Sequence, residues 1–475
     1  MTTIFEKSNG VDGINLTDEK LDLSFFDSSI LRDEAIGLPQ MSELEVMRHY
    51  KELSDKNFCI EKGFYPLGSC TMKYNPKVNE LLASLDGFTN LHPLSSDEDS
   101  QGALELMYNL QESLKVITGM DAITLQPSAG AHGELTGMMI IKKYFEDKGE
   151  NRKKVIIPDS AHGTNPASAK MCDFDIVEIK SNEKGQVDLD ALKAVLDKDV
   201  AAIMMTNPNT LGLFEENVLE ISKLMHDNGS LLYYDGANFN AIMGYTNPKL
   251  MGFDVVHLNL HKTMSTPHGG GGPGSGIVGV VDSLKEFLPT PVIAFDGSKY
   301  FKNYDLNKSI GSVKNFYGNF SVLVKAYAYI LMMGKNLKQA SANAVLNANY
   351  LKEKLKKYFD LPYDEPCMHE FVLSGERQKH ESGVSTLNIA KALMDENTHP
   401  PTVYFPLIVH EAIMIEPTES ENKERMDEFV NVMIKIAEEA KTNPEKILSA
   451  PHTTPVKRVD ETQAARHPDL KYMEK

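Results

Sequence analysis

Seven short apolar runs between residues 120 and 282 constrain the fold of this chain more than any other feature. Each run is rich in Val, Ile, Leu or Met, and a cluster of Gly, Asn, Ser or Pro follows it. The runs are AITL, KVIIP, IVEI, AAIMM, LLYY, VVHLNL and GIVGVV. Continuous apolarity over such a run is typical of strands that are covered on both faces. The pattern predicts an α/β fold with a mostly parallel sheet flanked by helices.

The sequence predicts three regions. Residues 1–75 lack the alternation and form an N-terminal arm, in which FYPLGSCTMKYNP (64–76) is typical of irregular chain. Residues 76–325 form a large α/β domain, and residues 326–475 form a smaller α+β domain. In the smaller domain a long helical stretch is interrupted at Gly334, and STLNIA, TVYFP and AIMIE are strand-like.

Apolar spacing of three and four residues predicts one helix in the large domain and one near the C-terminus. The first carries Ala103, Leu106, Met107, Leu110, Leu114 and Ile117, and Gly119 is placed to end it. Thr418 and Glu421 have capping-box spacing and predict the start of the second helix. Its apolar face would carry Met426, Phe429, Val430 and Met433.

Charge and cysteine usage narrow the class of protein. The 49 basic and 67 acidic residues give a net charge of −18, which argues against general binding to nucleic acid or to anionic lipid. The four cysteines show no CxxC spacing and suit reduced thiols. No apolar run approaches the roughly 20 residues of a membrane span, and MTTIFEKSNG lacks the apolar core of a signal peptide. We expect a cytoplasmic protein.

The carboxyl ends of the predicted strands carry the candidate site residues, because ligands bind there in open α/β sheets. AITL leads into QPSAGAHGE, where Ser128, Ala129 and Gly130 would bring backbone amides to an anion. The alternative for this stretch is an ordinary tight turn. KVIIP leads to His162 in a turn of small residues, where a structural role is the alternative. AAIMM leads to TNPNTLGLFE, another polar turn, which contains Thr210.

An aspartate and a lysine follow the next two strands. LLYY leads to Asp235, which must be paired if it is buried, or which caps a helix. VVHLNL leads to His261 and Lys262, and burial would make Lys262 an amine nucleophile toward carbonyls; a surface lysine is the alternative. A phosphate cup, a carboxylate and an amine on successive strand ends are what pyridoxal phosphate requires.

Several long motifs carry a resemblance to a known family. They are PLGSCTMK, QPSAGAHGE, SAHGTNPASA, DGANFNA, LNLHKT with PHGGGGPGSG, and EPTES. In order and spacing they resemble the P-protein of the glycine cleavage system. Together with SELEVMRHYKELSDKN, they resemble more narrowly the lysine-bearing subunit 2 of its two-subunit bacterial form. The resemblance covers nearly the whole chain.

The resemblance implies a fold-type I pyridoxal phosphate enzyme in which Lys262 binds the cofactor covalently. It further implies that Asp235 pairs with the pyridine nitrogen and that His162 stacks on the ring. Ser128, Ala129 and Gly130 are expected at the phosphate, with His261 nearby. General fold-type I geometry adds Asn238 and Thr210 near the ring hydroxyl or the substrate.

The implied activity is that of the oxidoreductase glycine dehydrogenase (aminomethyl-transferring, decarboxylating). Glycine loses CO2, and the aminomethyl group passes to the lipoyl arm of the H-protein. The implied partners are subunit 1, lipoylated H-protein and glycine, in an α2β2 heterotetramer. We hypothesise that the glycines between residues 269 and 276 leave room for the slender lipoyl arm. For Cys70 we favour packing or a place near the substrate over a nucleophilic role.

Two other functions stay open on the sequence alone. One is another fold-type I amino-acid decarboxylase or a cysteine desulfurase, which would use the same cofactor on a different substrate. The other is a non-catalytic scaffold subunit, against which the presence of Lys262 argues. A nucleotide-binding P-loop does not fit, because no Lys-Ser or Lys-Thr follows the glycines. No HExxH or comparable cluster indicates a metal site.

Overall fold

A computed structural model describes residues 2–10, 22–33, 37–268 and 274–470. The chain forms two compact units, residues 1–62 and residues 63–475. The first unit contains helices α1 (Ile4–Lys7) and α2 (Glu43–Lys56). The Ser42 hydroxyl accepts the backbone N–H of Glu45 and so caps the first turn of α2. An ion pair of 2.6 Å between Lys7 and Glu52 joins the two helices.

A seven-stranded sheet forms the centre of the second unit. Its strands are β1 (Ala122–Thr124), β2 (Lys154–Pro158), β3 (Asp175–Ile179), β4 (Val200–Thr206), β5 (Leu231–Gly236), β6 (Val255–Asn259) and β7 (Gly276–Val280). They lie in the order β1-β7-β6-β5-β4-β2-β3. The pairs from β3 to β6 are parallel, and β7 is antiparallel to both of its neighbours. The prediction of a mostly parallel sheet is confirmed.

Helices cover both faces of this sheet, as continuous apolarity requires. The helices of the described chain between residues 77 and 333 are α3 (Lys77–Ala83), α4 (Asp86–Thr89), α5 (Gln101–Thr118), α6 (Gly130–Asp147), α7 (Thr164–Met171), α8 (Leu189–Val195), α9 (Val218–Asp227), α10 (Leu260–Thr263) and α11 (Phe320–Met333). Of these, α5, α6, α7, α8, α9, α10 and α11 contribute buried side chains to the cores on the two faces of the sheet. Tyr233 packs on the α6 side of the sheet, and its neighbour Tyr234 packs on the opposite side with α5, α9 and α11. Strand β3 is an exception, because it lies at the edge and only Ile179 is buried.

The predicted helix before residue 119 is confirmed. It is α5, and it ends at Gly119, which has the left-handed φ of 75° expected of a helix-ending glycine. A two-stranded hairpin of β8 (Val292–Phe295) and β9 (Tyr300–Asn303) packs against α5.

The C-terminal part has a smaller sheet with its own core. Its strands are β10 (Phe371–Ser374), β11 (Thr402–Val403) and β12 (Ala412–Ile415), and its helices are α12 (Leu337–Leu355), α13 (Glu376–Ser382), α14 (Thr386–Asp395), α15 (Lys423–Thr442), α16 (Pro444–Ser449) and α17 (Glu461–Arg466).

Short 3-10 turns lie along the described chain at Ser28–Ile30, Glu98–Ser100, Phe239–Ala241, Asp282–Phe287, Asn315–Tyr317 and Gly334–Asn336. The turn at Gly334 separates α11 from α12, as predicted.

Two local predictions for this part were wrong. STLNIA forms the start of α14, because Ser385 and Asn388 make a reciprocal capping box. The late helix α15 starts at Lys423, since Asn422 caps it by accepting the N–H of Arg425, and Thr418 lies outside the helix. The predicted apolar face of α15 is buried as expected.

The segment of residues 64–76 contains no helix and only an isolated bridge between Leu67 and Ile415. This confirms irregular chain there, while the proposed domain limits at residues 75 and 325 stay a prediction. Among the helices of the described residues, none combines the length and apolarity needed to cross a membrane.

Candidate active site

Lys262 lies on the short helix α10, which begins directly after β6. The residue is 8 % exposed. None of the described residues accepts a hydrogen bond from its Nζ. The strand end therefore presents a buried amine that is available to a ligand.

Asp235 and His257 lie side by side because strands β5 and β6 pair in parallel with these two residues in register. Both are 1 % exposed, and Asp235 Oδ1 lies 3.3 Å from His257 Nε2. The backbone N–H of Ala237 donates to the same Oδ1 at 2.9 Å. His257 Nε2 also faces Asn259 Oδ1 at 3.0 Å, so it carries the ring proton, and Nδ1 accepts the hydroxyl of Tyr233 at 2.7 Å.

Asn165 joins Asp235 to a second carboxylate, that of Glu134. With its nitrogen toward the carboxylates, its carboxamide donates to Asp235 Oδ2 at 2.9 Å and to Glu134 Oε2 at 3.1 Å. The opposite orientation would place an oxygen against two acceptors. Glu134 also accepts the Thr164 hydroxyl at 2.7 Å and the Ser168 hydroxyl at 3.1 Å.

The two carboxyl groups have opposite pKa shifts. Burial alone would raise the pKa of Asp235, but His257, His162 and the Ala237 N–H favour the carboxylate, so its pKa lies below the usual value. Burial and the neighbouring Asp235 raise the pKa of Glu134 to about 7. Asp235 is therefore the anion of the pair at neutral pH.

His162 follows β2 and is half-buried. Its Nδ1 lies 3.0 Å from the Thr164 hydroxyl, and its ring meets Phe405 edge-on with centroids 5.9 Å apart. Burial and the charge of Lys262 lower the pKa of His162, whereas Asp235 opposes this shift. Asp235 and Lys262 thus both act electrostatically on His162.

Ser128, Ala129 and Gly130 lie at the N-terminus of α6, where no side chain caps the helix. The first amides of such a helix have no partner within the helix and carry partial positive charge. A Cβ on Gly130 would lie 2.5 Å from the Asn259 side chain, so only glycine allows this approach of the helix to β6. The arrangement suits an anion, and the phosphate role of these residues stays a prediction.

His261 lies beside this helix end. Its Nδ1 is 3.2 Å from the carbonyl oxygen of Ser275, and burial lowers its pKa to about 3. A Cβ on Gly274 would lie 2.9 Å from His261 Nδ1 and 3.4 Å from the Ser128 carbonyl. The Ser275 hydroxyl is buried, and no described residue forms a hydrogen bond with it. Residues 269–273 of the predicted glycine loop lie outside the described residues.

Asn238 and Thr210 are both buried and bound to backbone carbonyls. Asn238 Nδ2 donates to Pro208 O at 2.9 Å, while its Oδ1 has no partner. The Thr210 hydroxyl donates to Ser160 O at 2.7 Å. Asn238 therefore has a free acceptor, whereas the Thr210 hydroxyl hydrogen is already used.

Two buried glutamates hold the irregular segment of residues 64–76. The N–H of Ser69 donates to Glu370 at 2.7 Å, and the N–H of Thr71 donates to Glu416 at 2.8 Å. Ser69 and Thr71 have positive φ values of 63° and 51°, which L-residues adopt at a cost. The two carboxyl groups thus fix a strained turn around Cys70. Burial raises the pKa of the Cys70 thiol to about 11, against an opposing effect of Lys262.

His369 completes this cluster. Burial raises the pKa of Glu370 and of Glu416 and lowers that of His369 to about 3. Both ring nitrogens of His369 lack a hydrogen-bond partner. The donor atoms of His369, Glu370 and Glu416 lie within 4.8 Å of one another, as do those of Glu134, Asp235 and His257. In the second group the Glu134 oxygens already accept hydrogen bonds from Asn165, Thr164 and Ser168.

Several of these residues were not predicted from the sequence. The single histidine in an apolar strand could have indicated His257, and a carboxylate on the buried face of α6 could have indicated Glu134. Lys73, in PLGSCTMK, forms a buried ion pair of 2.7 Å with Glu419 of EPTES. No local signal marks Glu370, because its partners are distant in the chain.

Comparison with known proteins identifies the family. A family model described as glycine cleavage system P-protein matches residues 24–299, and one described as glycine dehydrogenase, C-terminal domain, matches residues 340–457. The probable glycine dehydrogenase (decarboxylating) subunit 2 of Kosmotoga olearia is 60 % identical over 480 residues, which covers 100 % of this chain and 99 % of the relative. The chain belongs to the glycine cleavage system P-protein family.

A second relative and two solved structures are also similar to this chain. The corresponding protein of Caldanaerobacter subterraneus is 61 % identical over 93 % of this chain and 92 % of its own. Among solved structures, an inhibitor-bound glycine decarboxylase (P-protein) has a TM-score of 0.72 at 18 % identity, covering 86 % of this chain and 93 % of that one. The cysteine desulfurase CsdA of Escherichia coli has a TM-score of 0.61 at 13 % identity, covering 82 % and 98 %. The fold is that of fold-type I pyridoxal phosphate enzymes, as predicted.

The described residues fit this cofactor. A carboxylate offers about four lone-pair positions, and three on Asp235 face Ala237, His257 and Asn165, so one on Oδ2 is left for a ring N–H. Gly130, Gly274 and the uncapped end of α6 leave a cradle that a Cβ would fill. The unbonded amine of Lys262 completes the set.

Proposed function

We propose that this chain catalyses the pyridoxal phosphate-dependent decarboxylation of glycine. One observation carries the proposal: in a P-protein family member, a buried and unbonded Lys262 amine stands at the end of β6, and an ionised Asp235 ends the neighbouring β5. These are the amine and the carboxylate that the cofactor requires.

In this proposal Lys262 holds the cofactor covalently through Nζ, and Asp235 holds a proton on the ring nitrogen. His162 stacks on the ring, and the amides after Ser128 bind the phosphate together with His261. Asn238 and Thr210 line the ring hydroxyl or the substrate. When bound, the cofactor supplies an electron sink for the bonding pair that remains as CO2 leaves.

Enclosure of the site supports the same chemistry. Lys262 is 8 % exposed and Asp235 is 1 % exposed, so little water reaches either side chain. A low-dielectric surrounding strengthens the interaction of Asp235 with a protonated ring nitrogen. Among the described arginines, Arg152 donates to Val200 O at 2.9 Å, Arg377 pairs with Asp360, and Arg425 pairs with Glu428. We infer that none of these three holds the substrate carboxylate.

Membership of the P-protein family supports proposals about the transfer step and the partners. We infer that the aminomethyl group passes to the lipoyl arm of the H-protein, and that the chain works with subunit 1 as an α2β2 heterotetramer. A cytoplasmic location suits the four free cysteines, Cys59, Cys70, Cys172 and Cys367.

The test of cofactor chemistry compares wild type with Lys262→Ala, each with and without the sister subunit. After pyridoxal phosphate is added, wild type should develop a visible absorbance band that borohydride reduces, and mass spectrometry should find the reduced adduct on Lys262. The alanine variant should show neither. A band of equal strength in both proteins would refute the assignment of Lys262, and no band in wild type would refute the cofactor.

A second measurement separates the substrates. Glycine should perturb the band and, with lipoylated H-protein, release CO2, whereas alanine and cysteine should do neither. Release of sulfide from cysteine would favour the desulfurase alternative. A chain that binds cofactor yet leaves glycine intact would favour the scaffold alternative.

A further inference from the structure

Glu134 is the junction of two hydrogen-bond paths that end at the two residues facing the proposed cofactor ring. One path runs from Glu134 Oε2 through Asn165 to Asp235, with distances of 3.1 Å and 2.9 Å. The other runs from Glu134 Oε1 through the Thr164 hydroxyl to His162 Nδ1, with distances of 2.7 Å and 3.0 Å. We propose that Glu134 is a positioning residue that orients Asp235 through Asn165 and His162 through Thr164. This inference rests on the proposed function.

The path to His162 has two hydrogen-bond arrangements. When Glu134 is ionised, the Thr164 hydroxyl donates to it, and the Thr164 oxygen accepts a proton carried on His162 Nδ1. When Glu134 is protonated, its hydroxyl donates to Thr164, which in turn donates to His162 Nδ1. The proton on the histidine then lies on Nε2, a form that the backbone N–H of Thr164, 3.5 Å from Nδ1, also favours. The protonation of Glu134 thus shifts the balance between the two tautomers of His162.

The path to Asp235 is not reversed by the same proton. Asn165 has two amide hydrogens and gives one to each carboxylate, so it can serve Asp235 in either state of Glu134. An ionised Glu134 adds a second negative charge near Asp235, and a protonated one removes it. The protonation of Glu134 thus changes the electrostatic potential at Asp235, while the position of Asn165 stays the same.

Several charged or titratable groups surround Glu134 in addition to these partners. Asp235 lies on β5 beside Tyr233, whose pKa is raised well above its usual value by burial and by the charges of Glu134 and Asp235. His257 on β6 is buried and its pKa is lowered, so it stays neutral. Lys262 favours ionisation of Glu134, and burial with Asp235 opposes it, which leaves the pKa of Glu134 at about 7.

The test follows the visible absorbance of the cofactor-loaded enzyme between about pH 6 and about pH 8, around the pKa of about 7 of Glu134. Wild type should show a spectral step in this range. Glu134→Gln should keep the cofactor but lose the step, because the amide of glutamine donates to Thr164 permanently, as the protonated acid does. Thr164→Val should reduce the step by breaking the path to His162, and Asn165→Ala should raise the cofactor dissociation constant about tenfold, which corresponds to ~1.4 kcal/mol.

Glu421 provides the matched control. Burial also raises its pKa to about 7, but it lies next to the start of α15, where Arg425 is the charge that acts on it. Glu421→Gln should therefore leave the step unchanged. A step that persists in Glu134→Gln would overturn this inference and leave the cofactor proposal intact. A wild-type enzyme without any cofactor band would refute the cofactor proposal and this inference with it.

Discussion

Asp235 Oδ1 lies 3.3 Å from His257 Nε2, and neither side chain reaches solvent. The contact follows from the parallel register of β5 and β6, which sets the two residues opposite each other. His257 is a donor because Tyr233 occupies its other nitrogen. The pairing of β6 with β5 therefore places a hydrogen-bond donor against Asp235 and favours the ionised form of this side chain.

Replacing His257 by leucine should weaken cofactor binding. His257 is the strongest of the groups that favour the ionised form of Asp235, and burial opposes that form. Without His257 the pKa of Asp235 would therefore rise. Loss of a hydrogen bond to a charged group costs about 1.5–3 kcal/mol, which predicts a roughly tenfold to hundredfold higher dissociation constant for pyridoxal phosphate. Absorbance titration measures it. Tyr233→Phe keeps the contact with Asp235 and should have a smaller effect; unchanged affinity in His257→Leu would contradict the assignment.

Gly137→Ala should destabilise the chain. A Cβ at this position would lie 2.4 Å from Cε2 of the buried Tyr233 and 3.1 Å from Val255, between α6 and the sheet. Such overpacking costs about 1–3 kcal/mol. Thermal or urea unfolding measures the loss. Gly102→Ala is the control, because α5 leaves open space there and alanine favours a helix; equal stability of both variants would show that α6 can shift.

Glu370→Gln should make stability less dependent on pH. The folded state holds the proton of Glu370 well above the ordinary pKa of 4.5, so above that pH the unfolded chain releases a proton that the folded chain keeps. Stability then falls as pH rises, until the pKa in the folded state is passed. Glutamine does not titrate and can still accept from Ser69. Between about pH 5.5 and about pH 8, the melting temperature of the variant should fall less than that of wild type; a parallel fall would refute the raised pKa.

Cys70 should react slowly with iodoacetamide and should be dispensable for chemistry. Burial raises the pKa of its thiol from 9.0 to about 11, which leaves on the order of a hundredfold less thiolate at neutral pH. Mass spectrometry of the alkylated peptide, compared with the same chain in guanidinium, measures the protection. Cys70→Ser should retain glycine turnover within about tenfold. Rapid labelling of the folded chain, or complete loss of turnover in the serine variant, would restore a nucleophilic role.

The sequence predicted those features that depend on local pattern. Continuous apolar runs predicted the sheet, and the strand ends predicted that Asp235 and Lys262 share one edge. Capping was less predictable. Thr418 has the spacing of a cap, but Asn422 lies next to the first turn and accepts the backbone N–H of Arg425. STLNIA is compatible with either structure on its own, and the side-chain bonds of Ser385 and Asn388 decide for a helix.

Residues whose role depends on distant partners could not be predicted. Nothing near Glu370 or Glu416 in the sequence indicates that each accepts a backbone N–H from the segment of residues 64–76. Likewise, His257 becomes a partner of Asp235 only through the register of two strands. Such contacts follow from tertiary packing, which a single sequence without aligned relatives does not reveal.

The bonds that fix the turn at Cys70 also set an order of events during translation. Ser69 is joined to a residue 301 positions later and Thr71 to one 345 positions later, so the ribosome delivers Lys262 long before it delivers Glu370 and Glu416. A nascent chain that ends before residue 370 therefore lacks both carboxyl groups that hold this turn. The conformation of a segment near the N-terminus thus depends on the completion of protein synthesis.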